Sequence, residues 1–535
     1  MGSGNFGRLF QSRRLIWCGL ILILLFNCLI RWRLRDLPLE RDEGEYAYAG
    51  QLLLQGVPPY KLAYNMKFPG VYFAYAALMG IFGESTHGIH YGIALVTCLT
   101  ALMTFLIGRK LFGPVAGLIA AASFVFLSLT ATLLGLAGHA THFVALFATL
   151  GAWCLMTARE NKLRSWFLYA GLAFGIAVLM KQHAIFFIPL GLLWIVLAQR
   201  NDKSSDKSAA RNAFVFLIGS ITPLIGVFIA LLWSGVAGQF YFWTLKYASS
   251  YVSINTFQSA GQNFIKEFTP IFKATWAFWI LGVIGLFLLL RRRRKEYSLW
   301  LAVILFLGGI LSVIPGFYFR NHYFLAALPG LALLNGALLT TRDPKSAQTR
   351  IAYWPIILIC LAMLTTAYAN RAFWFQLSPD QVSRRLYGIN PFVESPPIAE
   401  FLRANTSPTN TIAVLGSEPQ IYFLANRHSA TGYIYTYALT EANDLSQQMR
   451  EQFIQEIETN KPLFVVYVNL VDSWMATQDR ERSVLNWWQD YSKNYRLVGA
   501  VDEFPDAPSK YYWNTQLNDR TNPSPFGILI FQRAD

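Results

Sequence analysis

Residues 15–46 read LIWCGLILILLFNCLIRWRLRDLPLERDEGEY, and the meaning of this stretch decides the fold. Leu15 to Ile30 carry no charge, and a bilayer core of about 30 Å takes about 20 apolar residues in a helix. The run 15–34 therefore reads as a membrane span. It lacks a small-residue cleavage site and closes on Arg31-Trp32-Arg33, so it is a retained span rather than a signal peptide. Immediately beyond it, five acids crowd between Asp36 and Glu45. Asp is a favoured N-cap. If Asp42 starts a helix, Glu45 and Tyr46 follow at i+3 and i+4 on the same side. The helix would continue through Tyr48 and Leu52 to Gly56, with an apolar face suited to the membrane interface at about 42–56. A second apolar helix, at about 69–82, is too short to span.

Outward from this stretch, ten more apolar runs follow, near 88–108, 113–134, 142–158, 166–180, 184–199, 213–233, 274–290, 298–315, 323–340 and 351–370. The chain is 54% hydrophobic and 14% charged, against roughly 25% charged in an ordinary soluble domain. Its net charge of +15 could suggest nucleic acid as a partner, but the composition is that of an integral membrane protein. The charges divide near residue 370. Residues 1–370 hold 31 Lys+Arg and 12 Asp+Glu, and residues 371–535 hold 14 and 18.

Lysine and arginine in loops set orientation. With alternate loops taken as cytoplasmic, these carry 17 basic residues (among them Arg109, Lys110, Arg159, Lys162, Arg164, Lys203, Arg291 to Arg294, Lys295, Arg342, Lys345 and Arg350), against 5 on the opposite side between the first loop and the tail. Arg8, Arg13 and Arg14 face Arg31, Arg33 and Arg35 across the first span, so the later loops decide. The expectation is a multi-pass protein of the inner (plasma) membrane with a cytoplasmic N-terminus and eleven spans in residues 1–370. Residues 371–535 then form an extracytoplasmic α/β domain. Strands are expected at Thr411–Leu415, Leu463–Val468, Leu497–Val501 and Ile528–Phe531, alternating with helices around 394–404, 441–458 and 478–492. That alternation predicts a partly parallel sheet. The five cysteines all lie in apolar runs, so no disulfide framework is indicated.

The chemistry is concentrated on the outer side. Asp42, Glu43 and Glu45 read either as a solvated helix start matched to nearby arginines or as functional carboxylates at the interface. Lys67, in Asn65-Met66-Lys67-Phe68-Pro69, either snorkels or meets a phosphate at the membrane surface. Lys181 interrupts two apolar runs, where a cation is costly unless paired or wet. Arg320, in Tyr318-Phe319-Arg320-Asn321-His322-Tyr323, is either an interfacial anchor or a bidentate phosphate ligand. His139 and His142 are three apart but have no carboxylate near them in sequence, so no metal ligand is assigned. No cofactor is assigned, and a divalent cation stays open. Phosphate-binding loop, dinucleotide-fingerprint and HExxH motifs are all missing from the sequence.

The order of these features resembles the GT-C polyprenyl-phosphate-sugar glycosyltransferases: a first span, Asp-Glu at its outer end, an interfacial helix, Lys-Phe-Pro, and a second interfacial helix ending in Phe-Gly. The branch it is most similar to is the dolichyl-phosphate-mannose–protein mannosyltransferase-like family, which includes bacterial aminoarabinose transferases of lipid A. Arg109-Lys110-Leu111-Phe112-Gly113, His322-Tyr323-Phe324-Leu325 and Leu328-Pro329 belong to the resemblance, as do Ile412-Ala413-Val414-Leu415-Gly416 and Ile421-Tyr422-Phe423-Leu424 in the tail. Two positions depart from it. Phe68-Pro69 stands where many relatives have Pro-Pro, and Gly138-His139-Ala140-Thr141-His142 stands where many carry an acid.

The resemblance implies an inverting hexosyl or pentosyl transfer from a polyprenyl-phosphate sugar to an envelope lipid, glycan or protein. Asp42 would be the general base, with Glu43 or Glu45 orienting the acceptor. Lys67 would meet the donor phosphate, with Lys181 and Arg320 on the same side. Tyr46, His322 and Tyr323 are expected to line the substrate site. The alternative is a polytopic transporter or lipid flippase, but the two related halves common in transporters are not found. A third reading, an envelope assembly protein whose spans only anchor a binding tail, does not account for so many spans.

Overall fold

The computed structural model describes residues 12–200, 206–293, 300–339, 353–441, 445–474, 483–505 and 507–534. Arg8, Lys203, Arg294, Lys295, Arg342, Lys345, Arg350 and the start of the helix expected at 478–492 lie outside the described residues. The membrane part contains α1 (Arg13–Arg33), α2 (Arg41–Leu54), α3 (Gly70–Phe82), α4 (Thr86–Phe112), α5 (Pro114–Ser128), α6 (Ala140–Asn161), α7 (Ser165–Met180), α8 (Phe187–Arg200), α9 (Asp206–Trp233), α10 (Phe257–Arg293), α11 (Trp300–Leu311), α12 (Leu328–Gly336) and α13 (Tyr353–Arg371). The protein is an α-helical polytopic membrane protein with a small C-terminal sheet domain.

Among the described residues, seven helical segments are long and apolar enough to cross a membrane: α1, α4, α6, α9, α10, Asn321–Leu339 (which includes α12) and α13. The other four of the eleven apolar runs form shorter helices, at α5, α7, Gln182–Ala198 and α11. The run 113–134 shows why hydropathy overstates length. Its helix stops at Ser128, and residues 129–139 continue as a buried irregular loop. Irregular backbone at membrane depth is tolerated only when buried in protein. Here the guanidinium of Arg31, itself 4% exposed, donates to Gly135 O at 2.8 Å and Leu136 O at 3.5 Å. An arginine that reads as a span flank thus serves as an internal hydrogen-bond partner.

Small residues let the spans approach closely. A Cβ on Gly171 of α7 would lie 2.1 Å from Phe216 O of α9, and one on Gly219 would lie 2.3 Å from Leu168 O. In α10, Pro270 lies within the helix and Thr275 leaves helical geometry at φ −135°. A proline disturbs only the turn before it, so the kink at Thr275 lies beyond its reach; there the Thr275 hydroxyl donates to Ile271 O at 2.6 Å.

The C-terminal domain contains α14 (Pro379–Tyr387), α15 (Ser395–Ala404), β1 (Ile412–Leu415), α16 (Gln420–Ala425), α17 (Ser446–Asn460), β2 (Phe464–Asn469), α18 (Ser483–Tyr491), β3 (Tyr495–Phe504), β4 (Ala507–Trp513) and β5 (Gly527–Arg533). The sheet order is β1-β2-β5-β3-β4. β1 and β2 are parallel, and the remaining pairs are antiparallel. β1 stands at one edge of the sheet yet is buried along its whole length, because the segment at His428–Ala430 covers its free side with backbone hydrogen bonds to Ile412. β4, at the other edge, has no fully buried residue and no apolar run to announce it in the sequence.

This domain is seated directly on α2. A Cβ on Gly44 would lie 2.6 Å from the backbone nitrogen of Gln420, so only glycine permits α2 and α16 to meet. Arg41 donates to Ser417 O at 2.6 Å and pairs with Glu418 at 2.9 Å. The Ser429 amide donates to the Tyr48 hydroxyl at 2.8 Å. These contacts fix the helix that carries the acids against the helices below and the sheet domain above.

Candidate functional site

The site begins with the start of α2. Glu40, two residues before Asp42, is the N-cap, which corrects the expectation that Asp42 itself begins the helix. Glu40 is extended at φ −76° and ψ 174°, after Pro38-Leu39. Its carboxylate accepts from the Glu43 amide at 3.0 Å, and the Glu43 carboxylate accepts from the Glu40 amide at 3.4 Å. This reciprocal cap satisfies two orphan backbone donors and leaves Asp42 on the open side of the first turn. Burial, followed by the neighbouring Asp42 charge, pushes the Glu40 carboxyl up to about 7.

Glu43 faces the other way. It is fully buried and accepts from the Gly138 amide at 2.6 Å, with His90 Nε2 at 3.2 Å. Burial would raise its carboxyl, but His90 and the Gly138 amide outweigh it and the group lies below its ordinary value. Glu43 thereby joins α2, α4 and the loop before α6. It does not line either cavity described below.

Two cavities meet at Asp42. The first, about 410 Å³, is the more polar of the two and is lined by Asp42, Lys67, Arg320 and His322, with Tyr435 and Glu441 from the C-terminal domain. The second, about 600 Å³, is mainly apolar and runs between helices past Tyr46, Phe68, Ile185, Leu224, Lys181 and Tyr323. Asp42, Lys67, His322 and Tyr323 line both. Lys67 Nζ donates to Asp42 at 2.7 Å and to Glu45 at 2.6 Å, and it lies 4.5 Å from the centre of the Tyr46 ring. Glu45 is fully buried and also accepts from the Tyr72 hydroxyl at 2.6 Å.

The electrostatics separate the acids. Burial pushes the Asp42 carboxyl up, but Lys67, with His139 and His322 beside it, outweighs this and holds it well below its ordinary value. Burial keeps Glu45 above its ordinary value despite Lys67. The ammonium of Lys67 is disfavoured by burial, but Asp42 and Glu45 more than offset this and raise it well above its ordinary value. At neutral pH the Asp42–Lys67 pair is therefore ionised.

Each residue expected from the sequence can now be located. Asp42, Lys67, Tyr46, His322, Tyr323, Lys181 and Arg320 all line one cavity or both. Lys181 Nζ lies 3.3 Å from the centre of the Tyr323 ring. Glu45 reaches the site through Lys67, and Glu43 stands behind it. Sequence reasoning missed Glu40 as the cap and the aromatic wall from Tyr435 and Tyr437. The first has a local signal, Glu40-x-x-Glu43, which has the spacing of a capping box. The second has none, because it depends on how the two parts dock.

The fold also builds a set of three possible metal ligands, where the sequence assigned none. Asp42, His139 and His322 each offer an atom within 4.8 Å of the others. His139 Nδ1 and His322 Nε2 both lie 3.8 Å from Asp42 Oδ2, and the two imidazoles stack at 4.0 Å. Both ring nitrogens of His139 and Nδ1 of His322 are buried with no hydrogen-bond partner among the described residues. Two imidazoles and a carboxylate suit zinc or a similar transition-metal ion better than magnesium. His142 turns away instead, with Nε2 at 3.0 Å from Ala137 O. The helical His139–His142 pair is therefore not the ligand set.

Residues 66–233 match the sequence profile of the family described as dolichyl-phosphate-mannose-protein mannosyltransferase. An uncharacterized protein of Aquifex aeolicus (strain VF5) is 23% identical over 341 residues, covering 58% of this chain and 61% of that protein. The undecaprenyl phosphate-alpha-4-amino-4-deoxy-L-arabinose arabinosyl transferase 2 of Pseudomonas fluorescens (strain Pf0-1) is 28% identical over 225 residues, 38% of each chain. The matches thus span less than two thirds of these curated relatives. Among solved structures, ArnT from Cupriavidus metallidurans bound to undecaprenyl phosphate superposes with a TM-score of 0.58 at 13% identity, over 96% of this chain and 98% of that one. The oligosaccharyltransferase AglB from Archaeoglobus fulgidus, in complex with an inhibitory peptide and a dolichol-phosphate, gives 0.53 at 13% identity, over 93% and 74%.

Proposed function

We propose, from the premise that the chain is a GT-C-type glycosyltransferase of the aminoarabinose-transferase-like branch, that it transfers a sugar with inversion from a polyprenyl-phosphate donor to an envelope acceptor. The observation that carries this is the position of Asp42 and Lys67, a carboxylate and an ammonium 2.7 Å apart at the junction of a polar and an apolar cavity. The apolar cavity accepts the polyprenyl chain. Lys67, Lys181 and Arg320 meet the phosphate, and the sugar projects into the polar cavity towards Tyr435 and Glu441.

The acceptor hydroxyl attacks the anomeric carbon and the carbon–oxygen bond to phosphate breaks. The hydroxyl proton passes to Asp42, and polyprenyl phosphate leaves as the anion. A base of this kind contributes about 10²–10⁴-fold. The leaving group needs no proton, so cations placed where its charge develops contribute more than a general acid would. Glu45 acts by holding Lys67. Asp42, His139 and His322 would hold a divalent cation, which would supply a further positive charge to offset that of the leaving phosphate. The transferred group is a hexosyl or pentosyl unit. Residues 1–370 form the transferase part, in the inner membrane with a cytoplasmic N-terminus. Residues 371–535 form an extracytoplasmic domain that closes the acceptor side.

Reconstitution with a labelled polyprenyl-phosphate sugar and envelope extract tests this reading. The protein is expected to move label to an extractable acceptor and release polyprenyl phosphate. Asp42→Asn should lose transfer by about 10²-fold or more while still binding polyprenyl phosphate. Unchanged turnover by that variant defeats the assignment. Labelled lipid that crosses the bilayer without transfer would establish the flippase alternative.

A further inference from the structure

A separate cavity of about 490 Å³ opens at the far ends of the helices that carry the site. His139, beside Asp42, immediately precedes α6, and Arg159 lies near the end of that helix. At 1.5 Å per residue this is a distance of about 30 Å along the axis, the thickness of a bilayer core. The cavity lies between α6, α7, α8 and α9. Arg159, Lys162 and Arg164 line one side, and Trp194, Ser208 and Asn212 line the other. It shares no lining residue with the two cavities at Asp42.

A few basic residues at a helix end need no explanation beyond membrane anchoring. Two further facts make this a built site. Trp194 is 1% exposed and Asn212 is 8% exposed. Trp194 Nε1 and Asn212 Oδ1 are both buried without a hydrogen-bond partner among the described residues. Leaving a buried polar atom unpaired is costly, and here one vacant donor and one vacant acceptor line the same cavity. In addition, among the described residues that line it none is a carboxylate. Glu160, at the end of α6, forms an ion pair with Lys110.

A ligand that fits must therefore be anionic, accept a hydrogen bond from an indole, and donate one to an amide oxygen. A phosphate accepts from Trp194 Nε1 and from the ammonium and guanidinium of Lys162 and Arg164. A hydroxyl close to that phosphate donates to Asn212 Oδ1. Basic pockets between spans at a membrane face hold lipid headgroups, and a phosphoglycerol headgroup carries both groups. Phosphocholine has no hydroxyl or N–H donor, and its fixed cation would approach Lys162 and Arg164. We infer that this cavity binds the headgroup of an anionic glycerophospholipid, on the membrane face opposite the Asp42 site.

The test uses the full chain in nanodiscs of phosphatidylcholine with or without phosphatidylglycerol, followed by thermal unfolding and native mass spectrometry. Phosphatidylglycerol is expected to raise the unfolding midpoint and to remain bound as a discrete adduct. Trp194→Phe, which keeps the ring and removes the N–H, should weaken that retention about tenfold, the loss expected for one charge-assisted hydrogen bond. Its midpoint in phosphatidylcholine should be unchanged. If that variant is unstable in both lipids, the paired loop substitutions Lys162→Gln and Arg164→Gln, both at exposed positions, carry the test and should show the same loss of retention. Equal retention of the two lipids by the unaltered protein overturns the inference, as does full retention by the variants that fold. Glycerol 3-phosphate and inorganic phosphate form separate arms in phosphatidylcholine discs. Stabilisation by either to the same extent as the lipid would make this a site for a soluble phosphate and overturn the lipid assignment.

Discussion

Replacing Lys67 by methionine separates its structural role from its proposed phosphate contact. Lys67 lies 2.7 Å from Asp42 and 2.6 Å from Glu45, and the Glu45 side chain is fully buried. At 2.6 Å and an effective dielectric of about 20, each attraction is about 6 kcal/mol before desolvation is counted. Removing one partner of a buried pair typically costs about 3–5 kcal/mol net, because the other charge is left uncompensated. Glu45 already lies above its ordinary value, so it would respond by taking up a proton. The destabilisation of Lys67→Met should therefore be larger at pH 8 than at pH 5.5. Adding Glu45→Gln removes the orphaned charge and preserves an acceptor for the Tyr72 hydroxyl, so most of the lost stability should return. Binding of polyprenyl phosphate should not return, because a hydrogen bond to a charged group is worth about 1.5–3 kcal/mol, or roughly a 10- to 100-fold change in Kd. Thermal unfolding at the two pH values and a lipid-phosphate binding titration read the two effects independently. A double variant that binds polyprenyl phosphate as tightly as the unaltered protein refutes the role given to Lys67. Equal stability of Lys67→Met and the unaltered protein at pH 8 refutes the ionised buried pair.

Three other outcomes follow from the geometry. Glu503 is buried with neither carboxylate oxygen partnered among the described residues. Burial pushes it from 4.5 to about 8, with Arg384 opposing. Because the folded state holds this proton more tightly than the unfolded one, stability is complete below about pH 4.5 and is lost as pH rises towards 8. Glu503→Gln should therefore stabilise the C-terminal domain by about 3 kcal/mol at pH 7 and hardly at all at pH 4.5, as read by unfolding at each pH. His139→Ala should weaken zinc binding to the purified protein by about 100-fold or more, since even outer partners of metal ligands can be worth that much; calorimetric titration after chelation checks this. Gly44→Val would force a side chain towards the Gln420 backbone, costing about 1–3 kcal/mol as overpacking. Limited proteolysis should then release the C-terminal domain more readily.

The acid cluster after the first span and Lys67 were legible in sequence because local spacing suffices for them. Asp42 and Glu45 share a helix face, and one lysine meets both. The apolar runs likewise predicted helices, and the short β-branched runs predicted four of the five strands. What stayed hidden depends on contacts between distant segments. Residues 129–134 continue the apolar run past the end of α5 at Ser128, so composition does not reveal that they begin a loop held by Arg31. His139 and His322 come from different elements, and only packing brings both to Asp42. β4 is missed because an edge strand with no fully buried residue needs no hydrophobic alternation. Tyr435 and Tyr437 enter the site only through docking of the C-terminal domain on α2.

The seating of Gln420 over Gly44 has a consequence for the order of synthesis. The carboxylate proposed as base is made soon after the first span, and its roof at Tyr435 and Glu441 about 390 residues later. Until the final sheet has formed and settled on α2, the chamber lacks the wall provided by Tyr435 and Glu441. A nascent or truncated chain would hold lipid in the open half without the means to position an acceptor. The polar chamber is thus a product of the whole fold, and the helices of the membrane part do not by themselves enclose it.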